Sequence, residues 1–174
     1  ISQEEAKKLG IFVLPMPFYI DGECYYESVT LSRELFFEKL TSGADISTSQ
    51  PSPTAVMEIW DKALEEYEKI LYMPISSGLS SSYNTAMMLA QEEKYEGRVL
   101  VVDDGQVAAP LHQMILDTLD MIEKGYEAEQ IRELLEKAGD RMMIYIALQT
   151  LEFLKKGGRV TPAAAALGSV FNIK

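Results

Sequence analysis

Apolar residues recur along this chain in two different rhythms. Between Pro53 and Tyr67 they fall at Val56, Ile59, Trp60, Ala63, Leu64 and Tyr67. Steps of three and four place them on one face of a helix. Leu111, Met114, Ile115, Leu119 and Ile122 repeat that spacing within Ala109 to Lys124, and Gly125 supplies the stop. Helices are also predicted over Tyr83–Tyr95, with Ala86, Leu89 and Ala90 inward, and over Glu127–Lys137, ended by Gly139. Set between them are short runs without polar alternation: Ile70–Ile75, Arg98–Val102 and Met142–Leu148. Such runs read as strands buried on both faces. Strands of that kind alternating with helices predict an α/β fold, a three-layer αβα arrangement around a mostly parallel sheet. Ligands in such sheets bind beyond the carboxyl ends of the strands.

The flanks are less regular. Ser2-Gln3-Glu4-Glu5 is a capping box for a short helix ending at Leu9 and Gly10. Ile11–Ile20 is apolar, but Pro15 and Pro17 make it an edge strand or an extended arm. Asp21-Gly22 signals a hairpin turn with Glu23–Glu27 as the return strand. Thr30 is positioned to cap a helix through Leu35, Phe36 and Leu40. Ser42–Ser52 reads as a polar loop, and Ser52-Pro53 as N-cap and first helical position of the next helix. Near the other end, a helix over Leu151–Lys156 stops at Gly157-Gly158. Thr161-Pro162 then opens an Ala-rich helix closed by Gly168. The expected division is an α/β lobe over 1–156 and the beginning of a second α/β lobe over 157–174. The chain starts without Met, and Phe171-Asn172-Ile173-Lys174 carries no stop signal, so it reads as truncated at both ends.

Composition narrows the partners. With 174 residues and 47% hydrophobic content, the chain can bury one ordinary core. A net charge of -11 disfavours nucleic acid and anionic membrane surfaces, both of which require clustered Lys and Arg. A small anion is still allowed, because local N–H dipoles need not follow net charge. Cys24 and His112 are single, which excludes a disulfide framework and argues against a Cys/His zinc site. No metal and no cofactor are therefore expected. No run of ~20 apolar residues exists to span a membrane. Glu4, Glu5, Lys7 and Lys8 interrupt any signal-peptide pattern in the first residues, and a cytoplasmic location is expected.

The candidate chemistry lies in hydroxyl clusters. Ile75-Ser76-Ser77-Gly78-Leu79-Ser80-Ser81-Ser82-Tyr83 follows an apolar strand and opens a helix. Free N–H groups and hydroxyls at such a point favour a phosphate or a carboxylate, although serines also simply cap helices. The loop is neither a Walker A motif nor a nucleophile elbow. Thr48 and Ser49 lie too far upstream to cap the Pro53 helix, and so need another reason. Asp103-Asp104 reads as a turn with a helix cap to follow rather than a metal site. His112 falls mid-helix, a poor place for a catalytic triad member. In Lys155-Lys156-Gly157-Gly158-Arg159 a helix end explains all but Arg159. The methionines at 87, 88, 114, 121, 142 and 143 read as core, with some able to line a pocket for a flexible apolar ligand.

Three of these segments in register, Thr48-Ser49-Gln50-Pro51-Ser52-Pro53, Ile75-Ser76-Ser77-Gly78-Leu79-Ser80 and Leu154-Lys155-Lys156-Gly157-Gly158-Arg159-Val160, resemble the DegV family of bacterial fatty-acid-binding proteins. Leu14-Pro15 to Asp21-Gly22 and the terminal Leu167–Lys174 segment are similar as well. The resemblance implies a two-lobe protein holding one long-chain fatty acid between its lobes. Thr48 and Ser80 would meet the carboxylate first, then Ser49, Ser76 and Ser77, with Gly78 and Arg159 as secondary candidates. It implies a carrier with no catalytic residue, presenting the acid to a separate fatty acid kinase for acyl-phosphate formation. The family's first strand and roughly its last third have no counterpart here. Asp104–Pro110 lacks the family's usual Ser and Gly, and Ser81-Ser82 stands where Gly-Thr is usual. The alternatives are an α/β enzyme acting on a small phosphate or ester through the serine loop, and a regulatory domain with an empty pocket.

Overall fold

The computed structural model describes residues 1–27, 29–146 and 151–161. In chain order its elements are α1 (Gln3–Leu9), β1 (Pro17–Ile20), β2 (Glu23–Tyr26), α2 (Arg33–Thr41), β3 (Ile46–Thr48), α3 (Pro53–Leu64), β4 (Ile70–Tyr72), α4 (Ser82–Leu89), β5 (Val99–Val101), α5 (Ala108–Glu123), α6 (Ala128–Gly139) and α7 (Glu152–Lys156). Contacts divide the chain into two compact units. One comprises Ile1–Pro15 with Gln50–Ile144, the other Met16–Ser49 with Tyr145–Lys174. This division follows other lines than the expected boundary at 156/157, which concerns a second lobe whose residues 162–174 lie outside the described ones.

The first unit is the predicted α/β layer structure in small form. β4 and β5 pair in parallel, with Ile70 opposite Val99, Leu71 opposite Leu100 and Tyr72 opposite Val101. Side chains alternate along a strand, so each face takes every second residue. Val99 and Val101 pack with Val56 and Trp60 of α3 and Ala86 and Leu89 of α4. Val102 packs with Met114 of α5 and Ile131 and Leu135 of α6, joined by Leu71 and Met73. Helices thus cover both faces, as the absence of polar alternation requires. Ser52 caps α3 by accepting from the Ala55 N–H at 3.2 Å, with Pro53 at the first turn as expected.

Helix α4 is shorter than its predicted span to Tyr95. The amides of Gln91, Glu92 and Tyr95 donate to carbonyls three residues back, which winds the chain into tight turns. The turns carry Tyr95 inward, where its ring meets Trp60 edge-on at 5.2 Å and its hydroxyl donates to Asp61 at 2.9 Å. A strongly polar Gln91–Lys94 stretch has no inner face to keep it helical.

The third buried strand is corrected over its described part. Met142–Ile146 form no strand, and Met143 and Tyr145 are 74% and 88% exposed. An apolar run becomes a strand only where a neighbouring edge offers ladder hydrogen bonds. Its end at Leu148, like the Ala-rich helix after Thr161 and the Leu167–Lys174 segment, lies outside the described residues.

The second unit holds an antiparallel sheet in the order β2-β1-β3. The hairpin forms at Asp21-Gly22, pairing Ile20 with Glu23 and Pro17 with Tyr26. Asp21 takes a left-handed φ of 51°, and Gly22 one of 87°. Both fit a turn whose two central residues need positive φ. Strand β3 falls within the expected Ser42–Ser52 loop. Its residues pair with β1, Ile46 opposite Ile20 and Thr48 opposite Phe18. The alternative of an edge strand for Ile11–Ile20 is also resolved, because β1 lies in the middle of its sheet. Its proline stands at the first position, where a missing N–H is tolerated. Ser32, not Thr30, caps α2, accepting from the Leu35 N–H at 3.1 Å. Thr30 instead accepts the Tyr26 N–H at 2.9 Å and closes the end of the hairpin. Lys156 of α7 forms an ion pair with Asp45.

Candidate functional site

Residues 76 to 82 form one hydrogen-bonded turn between the end of β4 and the start of α4. The Ser76 carbonyl accepts the N–H groups of Leu79 at 2.9 Å and Ser80 at 3.1 Å. The Ser76 hydroxyl accepts the Gly78 N–H at 3.3 Å. Ser80 then caps the approach to α4, its hydroxyl accepting the Ser82 N–H at 3.2 Å and lying 2.7 Å from the Ser82 hydroxyl. Serines at 76 and 80 supply these side-chain bonds, since a short hydroxyl reaches the backbone two residues on. No hydrogen bond within the described residues occupies the Ser77 N–H or hydroxyl, and Ser77 and Gly78 are exposed. The turn therefore leaves the Ser77 donors exposed in the segment that leads into α4.

The turn is fixed from behind. The Ser76 N–H donates to the Gln106 carbonyl at 2.9 Å. Gln106 follows Asp103 and Asp104, each of which bends the chain by accepting an N–H two residues on: Gly105 at 3.2 Å and Gln106 at 2.9 Å. The expected turn is present, but neither aspartate caps α5. Its N-cap is Val107, which has no such side chain, and Ala108 takes a left-handed φ of 56°. Asp104 and Gln106 are 2% and 4% exposed. Burial pushes the Asp104 carboxyl up, with the Asp103 charge adding to the rise and the Gln106 N–H opposing it. Nothing in an Asp-Asp-Gly-Gln string signals burial, because the same string is ordinary in an exposed turn.

Of the candidate residues, Ser76, Ser77, Gly78 and Ser80 share this single turn in the first unit. Thr48 and Ser49 belong to the second unit. Thr48 ends β3 and is exposed, and the Ser49 N–H donates to the Pro17 carbonyl at 3.2 Å. Gln50, again in the first unit, exchanges two hydrogen bonds with Thr85 of α4, at 3.0 and 3.2 Å. Arg159, in the second unit, donates to the Gly157 carbonyl at 2.5 Å. His112 is half-exposed on α5, 2.9 Å from the Glu5 carboxylate, which it holds below the usual range. Among the described residues no group of three or more His, Cys, Asp or Glu side chains could hold a metal ion, and no helix is long and apolar enough to cross a membrane.

A small parallel sheet between two helical layers, with a serine turn beyond the carboxyl end of one strand, defines an α/β protein. A family model described as "Uncharacterised protein, DegV family" matches residues 1–174, and the chain belongs to the DegV family. A DegV domain-containing protein of Deinococcus radiodurans is 33% identical over the whole chain. The chain spans 62% of the length of that relative. Among solved structures, a fatty-acid-binding DegV family protein from Thermus thermophilus is 32% identical with a TM-score of 0.85, covering 99% of this chain and 61% of the other. A stearic-acid-binding protein from Eubacterium ventriosum is 25% identical with a TM-score of 0.78, covering 97% and 61% respectively.

Proposed function

We propose that the protein to which this chain belongs binds a long-chain fatty acid and uses the Ser76–Ser80 turn to hold its carboxylate. The observation that carries this reading is the outward pair of unengaged donors on Ser77, at a turn beyond the carboxyl end of β4, in a chain whose Thermus thermophilus relative is fatty-acid-binding. A carboxylate leaving water needs several charge-assisted hydrogen bonds. Hydroxyls and N–H groups supply them without the full charge of an arginine fork, and leave the oxygens approachable. Ser80 and Ser76 shape the turn, and Ser77 and Gly78 face the head group. Thr48, Ser49 and Arg159 join the reading through the family resemblance alone. The alkyl tail would contribute most of the affinity, at ~0.8 kcal/mol per buried methylene.

In this reading the protein is a carrier rather than an enzyme. A separate fatty acid kinase phosphorylates the presented carboxyl group, which places the protein in the cytoplasm beside the nucleotide pool. The test is to purify the full-length protein, extract it with organic solvent and analyse the extract by mass spectrometry. A stoichiometric long-chain fatty acid is expected, and a protein that yields none and takes up none added to it overturns the proposal. Thr48→Ala and Ser80→Ala are expected to lower acyl-phosphate formation more than lipid retention.

A further inference from the structure

We infer that Asp104 is a positioning residue for the serine turn, acting through Gln106 on the backbone of Ser76. Three bonds hold Gln106 in place. Its N–H donates to Asp104 Oδ1 at 2.9 Å, and its side-chain Nε2 donates to the Asp104 carbonyl at 3.2 Å and the Gly139 carbonyl at 3.4 Å. Its own carbonyl then accepts the Ser76 N–H at 2.9 Å. The brace thus runs from the end of α6 to the first residue of the turn. Close packing makes it rigid, since an added Cβ at Gly139 would lie 2.1 Å from the Asp104 carbonyl oxygen.

The brace is an expensive construction, which is why it points beyond simple loop closure. Asp104 Oδ2 and Gln106 Oε1 are both buried without a hydrogen-bond partner among the described residues. A turn at a strand end can be closed by exposed Asx bonds alone, as Asp103 does with Gly105. Buried acceptors left unpaired are rare in folded proteins and call for a structural reason. The geometry that is over-determined here is the direction of the Ser76 N–H, and with it the aim of Ser77 and Gly78. The inference deepens the fatty-acid reading and rests on it for its ligand arm only.

The test uses the full-length protein with Asp104→Ala, Asp104→Asn and, as a less buried control, Asp103→Ala. Asparagine keeps the acceptor oxygen for the Gln106 N–H, and alanine removes it. The first measurement is amide hydrogen exchange at Ser76, Ser77 and Gly78 without added lipid. Asp104→Ala is expected to lose Ser76 protection by about tenfold or more, and Asp104→Asn to restore it. The second is stearate affinity, expected to fall about tenfold in Asp104→Ala, to recover in Asp104→Asn, and to be unchanged in Asp103→Ala. If Ser76 protection in Asp104→Ala equals that of the unsubstituted protein, or asparagine fails to restore it, the positioning role is refuted. If protection behaves as expected while the unsubstituted protein binds no stearate, the positioning role stands and the fatty-acid reading fails. If the unsubstituted protein binds and Asp104→Ala binds equally well, the role in ligand positioning is refuted.

Discussion

Replacing Gly139 with alanine should destabilise this protein, against the ordinary trend for helices. Glycine to alanine near the end of a helix normally gains up to ~1 kcal/mol in propensity. Here the new Cβ would stand 2.1 Å from the carbonyl oxygen of Asp104, 2.7 Å from its carbon and 3.0 Å from its Cα. All three atoms are backbone, so no side chain can rotate away. Contact at ordinary van der Waals distance requires α6 and the Asp104 turn to separate by more than ~1 Å. Overpacking of that kind costs about 1–3 kcal/mol. The Gln106 Nε2 bond to the Gly139 carbonyl, already 3.4 Å long, would open as well, at a cost of about 1 kcal/mol. The net expectation is a loss of about 1–3 kcal/mol, and of about 4–8 °C in Tm for the middle of that range. Urea denaturation followed by circular dichroism measures it, with Ala138→Gly in the same helix as the pure propensity control. A Gly139→Ala protein at least as stable as the original would show that α6 does not approach the Asp104 backbone as described.

Other outcomes follow from local chemistry. Ala108→Gly should stabilise by up to ~1 kcal/mol in urea denaturation, because the left-handed φ of 56° strains any residue with a Cβ. Removing the α3 cap with Ser52→Ala should cost ~1 kcal/mol by the same assay, through loss of the Ala55 N–H bond. The folded-state pKa of Asp104 is raised by burial, so the folded protein binds its proton more tightly than the unfolded chain. Its contribution is therefore favourable below the ordinary carboxyl value near 3.8 and is lost as pH rises through the raised value. Asp104→Asn should remove that loss, making its stability advantage larger at pH 7 than at pH 4. An advantage of the same size at both pH values would contradict the burial of a carboxyl there.

Periodicity was a good guide wherever one element decided its own burial. The face of α3, the parallel pair β4 and β5, and the caps at Ser2 and Ser52 follow from spacing and side-chain reach, whereas on α5 the expected inward Ile122 is 52% exposed and Thr118 is buried instead. The misses share a cause, which is that tertiary partners set them. Strand β3 is mostly polar and exposed, with only Ile46 apolar, and it pairs because β1 offers an edge. The run Met142–Ile146 has strand composition and forms no ladder. Thr30, expected to cap α2, is taken by the hairpin end, and Ser32 caps the helix instead. At the candidate site, the serine string marked a turn between β4 and α4. The buried Asp104–Gln106 brace behind it was illegible, because its cause is the approach of α6 through Gly139, some thirty residues downstream.

The two compact units are interleaved in sequence, with the backbone passing between them at 15/16, 49/50 and 144/145. Severing any one peptide bond therefore leaves both units covalently joined. A protease that nicks a single exposed loop would release no intact unit. On the ribosome, the three-stranded sheet is threaded out before most of the first unit exists, yet its Asp45 waits for Lys156, synthesised more than a hundred residues later. Completion of either unit is thus tied to synthesis of the other, and neither can be cut out of the gene as one continuous stretch.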